Sequence, residues 1–355
     1  MPITCLVIGD QHFQDSNIEQ VDELVHKTLN LAREVDPTFI VLLGDLLHTK
    51  EKIYITPLKR GTDFIQALSE IACTYVLIGN HDYKNASQFL TDEHAFTPLK
   101  LWPNTHIADT VIIHEFQLES PNEGGVPIPL RFAFCPYVPN GRFLEALNTE
   151  MWETCECVFA HQEIKGAKMG GKVSDCDDEW DVDYPLLISG HIHEHQFVGP
   201  NMIYTGSAMQ HGATDDGDKY IFEFSFHGAG NWEMKKHDLN LKRKKKITVN
   251  VDDVGTLSET VSEYDNVILT IEVVGMAEQI KKFKGSKMYK TLVKRGIRFL
   301  SSTTVIPVEA LEGFSIEDEP SSKNRSFIEV LDSIIASESE TVKREYATIM
   351  KELGI

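Results

Sequence analysis

The sequence predicts a layered α/β sandwich, and three observations carry that expectation. The runs ITCLVIG (3–9), TFIVLLG (38–44) and TYVLIGN (74–80) are almost continuously apolar, the pattern of central strands covered on both faces. The stretches between them carry apolar residues at helical spacing, which gives a βαβαβ start. After residue 100, strand-like runs follow one another closely, so a second sheet packed on the first is expected.

Taken in order, residues 17–34 place Val21, Leu24, Val25, Leu29 and Leu31 at helical spacing, and 57–72 form a second helix. The later strand candidates are TVIIHEFQL (110–118), LRFAFCPYV (130–138), CECVFAH (155–161), PLLISGH (185–191), NMIYTGS (201–207) and YIFEFSF (220–226). Composition changes near residue 235. KKHDLNLKRKKK (235–246) holds seven basic residues and one acidic, and ITVNV, NVILTIEVV and IRFLSSTTVI follow it as strands. These suggest a small α/β module beyond a boundary near 240. EDEPSSKNRS (317–326) reads as a linker. Two amphipathic segments close the chain, marked by Phe327, Leu331 and Ile334, then Val342, Tyr346, Ile349 and Leu353. The expected division is 1–240, 241–308 and 309–355.

With 355 residues and 42% of them hydrophobic, the chain can bury one large core and a smaller one. A formal charge of −20 argues against wholesale electrostatic capture of an acidic polymer, so any nucleic-acid contact must be local. The six cysteines are scattered or sit in apolar runs, which suits free thiols in a reducing compartment. No basic leader opens the chain, and nowhere do eighteen apolar residues follow one another. An intracellular protein, cytoplasmic or nuclear and without a membrane span, is expected.

Polar residues gather at the C-terminal ends of the apolar strands. They are Asp10 and His12 in GDQH, Asp45 and His48 in GDLLH, Asn80, His81 and Asp82 in GNHD, His161 in FAHQE, and His191 and His193 in GHIH. Open α/β sheets bind ligands at that end. Carboxylates, imidazoles and a carboxamide oxygen suit borderline divalent metals such as manganese, iron or zinc, and no thiolate joins them. Seven ligands drawn from this set would exceed what one ion needs. Two ions sharing a bridging carboxylate fit, and the chemistry implied is two-metal phosphoryl hydrolysis.

In this order, D-x-H, GD-x-x-H, GNHD, H and GHxH resemble the calcineurin-like metallophosphoesterase superfamily, and YTGS (204–207) resembles a loop of the same family. A histidine three residues after the GD aspartate is similar, more narrowly, to the SbcD-type nucleases, which repair DNA double-strand breaks with an SMC-like coiled-coil ATPase. The GDxVDRG and GNHE motifs of the Ser/Thr phosphatase branch are absent.

The resemblance implies a four-layer β-sandwich flanked by helices, a small α/β capping domain and a C-terminal helical segment. It implies that Asp10, His12 and His193 hold one ion, that Asn80, His161 and His191 hold the other, and that Asp45 bridges them. Mn2+ is the foremost metal, with Mg2+, Fe2+ and Zn2+ as alternatives. His81 would be the general acid and His48 would orient the phosphodiester. His195 would be the spare histidine of the motif.

The same resemblance implies a manganese-dependent DNA exonuclease and endonuclease subunit. Its partners would be DNA, the ATPase (docked by the C-terminal segment) and a second copy of the chain. Residues 281–298 hold eight Lys or Arg and no acid, so Lys281, Lys282, Lys284, Lys287, Lys294, Arg295 and Arg298 are candidate DNA contacts. A competing reading is a stand-alone phosphodiesterase for small or cyclic nucleotides. Another is a non-enzymatic scaffold, which would need no general acid. The acidic run DCDDEWDVD (175–183) reads as a solvated loop.

Overall fold

The computed structural model describes residues 1–303 apart from 121–124, 216, 258–260, 262, 263, 265 and 266, together with Ile335, Lys343 and Tyr346. The apolar runs become strands Ile3–Ile8 (β1), Phe39–Leu42 (β2) and Cys73–Leu77 (β3), linked through helices Ile18–Val35 (α1) and Ile55–Ser69 (α2). Then come Thr105–Ala108 (β4), Ile112–Leu118 (β5), Ile128–Cys135 (β6), the short helix Phe143–Leu147 (α3) and Cys157–Ala160 (β7). A small hairpin, Lys168–Met169 (β8) with Lys172–Val173 (β9), precedes Leu186–Ser189 (β10), Gln196–Phe197 (β11) and Met202–Tyr204 (β12). The hairpin Ile221–Gly228 (β13) and Asn231–His237 (β14) follows.

These strands form two six-stranded sheets, in the orders β14-β13-β1-β2-β3-β4 and β11-β12-β10-β7-β6-β5. In the first, β1, β2, β3 and β4 run parallel, with Cys5 opposite Phe39 and Phe39 opposite Cys73. In the second, β6, β7, β10 and β12 run parallel. Side-chain alternation sorts each strand between two cores. Val7, Val41, Leu77, Phe134, Phe159 and Ile188 fill the space between the sheets. Leu6, Ile40 and Val76 point the other way, onto Leu24 of α1 and Phe64 of α2. Val158 and Leu187 meet Phe143 and Leu147 of α3 on the far side of the second sheet. The result is four layers, and each fully buried Leu, Ile or Phe contributes about 1.5–3 kcal/mol.

Besides the two-residue strands β8, β9 and β11, two strands escape the sequence pattern. β4 is a four-residue THIA edge strand, and β14 (NWEMKKH) alternates with charges. β13, which the sequence does show, joins the first sheet antiparallel to β1 rather than the second.

The basic run 235–246 is divided between two strands. Its start completes β14, and its end opens Arg243–Asn250 (β15). Lysine stems lie along an extended strand while their charged heads stay in water. β15 pairs in parallel with Val267–Gly275 (β16), which pairs in parallel with Arg298–Thr303 (β17). Helices Ala277–Gly285 and Lys287–Lys294 connect the last two strands, and Leu269, Ile271, Ile280, Phe283 and Leu292 give this module a core of its own.

Met1–Thr303 form one compact unit. The expected linker and C-terminal amphipathic segments lie outside the described residues, Ile335, Lys343 and Tyr346 apart. All six cysteines are unpaired. Among the described residues, no helix is long and apolar enough to cross a membrane.

Candidate metal centre

Three parallel strands of the first sheet and two of the second end at one place. β1 runs into Asp10 and His12, β2 into Asp45 and His48, β3 into Asn80 and His81, β7 into His161, and β10 into His191 and His193. Sharp turns are needed to aim these side chains. Asp10, His12, Asp45 and His191 all have positive φ, between 36° and 78°. That conformation costs a non-glycine residue on the order of 1–3 kcal/mol and is typical of functional sites. Glycines make room beside them: a Cβ on Gly79 would sit 2.2 Å from the Asp45 backbone nitrogen and Oδ1.

The donors converge as two groups that share Asp45. His12 Nε2 and His193 Nε2 are 3.1 Å apart, and Asp10, His12 and Asp45 cluster together. Two imidazoles side by side on one ion, each about 2.1 Å away, would have nearly this spacing. On the other side, Asn80 Oδ1 is 3.1 Å from His161 Nε2 and 3.0 Å from His191 Nδ1. Asp45 Oδ2 lies between the groups, 3.5 Å from His12 Nε2 and 3.3 Å from His161 Nε2.

Neighbouring groups fix the ring orientations. His161 donates from Nδ1 to the Leu43 carbonyl at 2.7 Å, which leaves Nε2 for a ligand. Asp10 accepts the His191 backbone N–H at 3.0 Å. Asp82 accepts the backbone N–H groups of Leu46, Leu47 and Gly79 and so ties together the two loops that carry Asp45 and Asn80.

The electrostatics call for cations. Asp10, Asp45 and Asp82 are all at most 5% exposed. Burial and the nearby Asp45 push Asp10 up to about 7, although His161 opposes this. Burial works against a charge on His161, but Asp45 and Asp10 raise it to about 9. His191, by burial and the neighbouring His161, falls to about 3. Divalent cations would relieve the carboxylate repulsion and be met by neutral imidazoles, so the donor set fits them.

A family model described as calcineurin-like phosphoesterase matches residues 3–195. The chain belongs to that family. This calcineurin-like phosphoesterase is similar to two viral proteins that carry phosphoesterase names. One is 244L of Invertebrate iridescent virus 6, 38% identical over 290 residues, which are 80% of this chain and 98% of the relative. The other is 078R of Invertebrate iridescent virus 3, 34% identical over 339 residues, 93% of this chain and 91% of the relative. Among solved structures, the calcineurin-like phosphoesterase YfkN from Bacillus subtilis is a distant likeness, 14% identical with a TM-score of 0.39 over 74% of this chain and 97% of that one.

The phosphoesterase therefore hydrolyses phosphoesters with divalent metal. Its nine histidine, aspartate and asparagine candidates all meet at this centre. His81 donates its backbone N–H to Asp45 Oδ1, and its ring lies 4.8 Å from that of His12. His48 Nδ1 is 3.3 Å from His12 Nδ1. The seven cations instead lie exposed on the three-stranded module. Of these, Arg298 reaches the short 3-10 helix Asp15–Asn17 that follows His12, donating to the Ser16 carbonyl at 3.0 Å.

His195 stands apart from the donors. It hydrogen-bonds the Tyr204 carbonyl through Nδ1 and packs 4.8 Å from the Phe222 ring. In the acidic loop, Asp178 departs from the solvated expectation. It is buried and accepts the N–H groups of Gly141 and Phe143 at the start of α3. Sequence reasoning missed His211, whose ring lies 4.7 Å from that of His12 and 4.9 Å from that of His193. It follows no strand end, and its one signal is nearness to the YTGS loop.

Proposed function

We propose that this phosphoesterase cleaves the phosphodiester backbone of DNA, as a manganese-dependent exonuclease and endonuclease subunit that works with an SMC-like coiled-coil ATPase. The observation that carries this reading is the exposed cation strip of residues 281–298, whose Arg298 donates to the carbonyl of Ser16 in the segment that follows His12. In a chain of charge −20, such a strip gives a phosphate polymer one local place to bind, whereas a small ester needs none.

Two divalent ions would supply an activated oxygen nucleophile and neutralise charge on the phosphoryl oxygens. His81 would protonate the departing sugar oxygen. Its Nδ1 donates to the His48 carbonyl at 2.6 Å, so Nε2 is the nitrogen left for proton transfer. His48, partly exposed beside it, would contact the phosphodiester. The C-terminal residues 309–355 would dock on the ATPase, and the chain would act as a homodimer.

The test is hydrolysis of linear double-stranded DNA with Mn2+, run beside bis-p-nitrophenyl phosphate and a cyclic nucleotide, for wild type and His81→Ala. DNA cleavage lost in the variant supports the proposal. Cleavage of the small esters alone transfers the assignment to a stand-alone phosphodiesterase. For the partner, unchanged ATPase association after deletion of residues 321–355 would falsify the docking role.

A further inference from the structure

We propose that His211 is a third imidazole ligand at the first ion, beside His12 and His193, a reading that rests on the metal-dependent function above. The loop after β12 folds back over the centre. Ser207 N–H donates to the His193 carbonyl at 3.2 Å, and Ala208 N–H donates to the Gly9 carbonyl at 2.8 Å. This carries His211 to Asp10, where its Nε2 lies 2.9 Å from the backbone carbonyl. A carbonyl can only accept, so Nε2 bears the proton and Nδ1 bears the lone pair. That Nδ1 is shut away from solvent and has no hydrogen-bond partner among the described residues.

Leaving a buried polar atom unpaired is costly, and a ligand is the ordinary remedy. Here the surroundings supply one. Ring nitrogens of His12, His193 and His211 lie within 4.8 Å of one another. His161 follows the same rule, with one nitrogen on a backbone carbonyl and the other on the metal side. His195 is the contrast. Its Nε2 is also buried and, among the described residues, unpartnered, but its ring neighbours are Phe197 and Phe222 rather than donors.

The loop is braced to hold this pose. The His211 N–H donates to Asp215 Oδ2 at 3.0 Å, and the His211 carbonyl accepts from Lys244 Nζ at 2.9 Å. Gln210 pairs with the backbone of Lys244 through both ends of its amide. With His211, the first position offers three imidazoles with Asp10 and Asp45. The second offers two imidazoles with Asn80 and Asp45. Imidazole-rich sites favour zinc and iron over magnesium and manganese, so the two positions differ in metal preference.

The experiment is calorimetric titration of the metal-free protein with Zn2+ and with Mn2+, with bound metal counted by mass spectrometry. It compares wild type, His211→Gln and His211→Phe. Gln keeps a donor for the Asp10 carbonyl but no ring nitrogen, and Phe keeps the ring's bulk alone. Two ions in wild type, with one site weakened at least about tenfold for Zn2+ in both variants and the other site unchanged, is the expected result. Unchanged far-UV circular dichroism checks the fold. Undiminished Zn2+ binding in either variant overturns the ligand role, and in the Gln variant alone it reduces His211 to a brace for Asp10. A wild type that binds no ion would overturn the metal reading itself.

Discussion

The His81 backbone N–H donates to Asp45 Oδ1 at 2.8 Å, so the candidate acid is tied to the carboxylate shared by both donor groups. That bond belongs to the main chain and survives loss of the His81 side chain. His81→Ala should therefore lower kcat by about 10²–10⁴-fold. Its metal count by mass spectrometry should stay equal to that of wild type. A parallel loss of metal would assign His81 to the ligand shell instead.

Asp82 satisfies three backbone donors from two loops, those of Leu46, Leu47 and Gly79. Asp82→Ala strands them in the interior and should cost about 2–4 kcal/mol in urea unfolding. An unchanged midpoint would mean that water replaces the carboxylate without loss.

Metal uptake should expel protons. In the metal-free centre burial disfavours a charge on His161, yet Asp45 and Asp10 raise it to about 9, so it is charged at neutral pH. A ligand must be neutral, and affinity should therefore climb as pH rises through His161's value and level off above it. Asp10, raised to about 7, adds to the weakening on the acid side. Titration calorimetry in buffers of different ionisation enthalpy measures the protons released. Affinity independent of pH between about 6 and 9 would contradict this linkage.

Charge reversal of Lys281, Lys282 and Lys284 should weaken DNA binding at low salt. It should also flatten the dependence of log K on log salt, by about 0.9 for each DNA phosphate that the variant no longer neutralises. Hydrolysis of bis-p-nitrophenyl phosphate should stay as in wild type. Binding curves that overlay those of wild type would remove this strip from the interface.

The parts of the molecule that the sequence reveals are those where one physical cause dominates. β1, β2 and β3 are buried on both faces, so their residues are almost continuously apolar and stand out. Asp10, Asn80 and His161 stand directly after such runs, so their place follows from the strands. β4 and β14 escape because edge strands need little apolar surface, and the basic start of β15 hides its strand because lysine stems can pack while their charges stay wet. His211 escapes for a different reason: a loop carries it to the centre, and its path is set by Ser207 and Ala208 meeting His193 and Gly9 across the fold.

The donors of the centre come from both sheets, Asp10, His12, Asp45 and Asn80 from the first and His161, His191 and His193 from the second. Cations bound there would act as cross-links between the two halves of the sandwich, much as a clasp closes a book. Ions at a hundred times their dissociation constant would add about 2.7 kcal/mol to folding. Chelation would then do more than silence the chemistry: it would loosen the two sheets from each other, beginning at the end where the substrate enters.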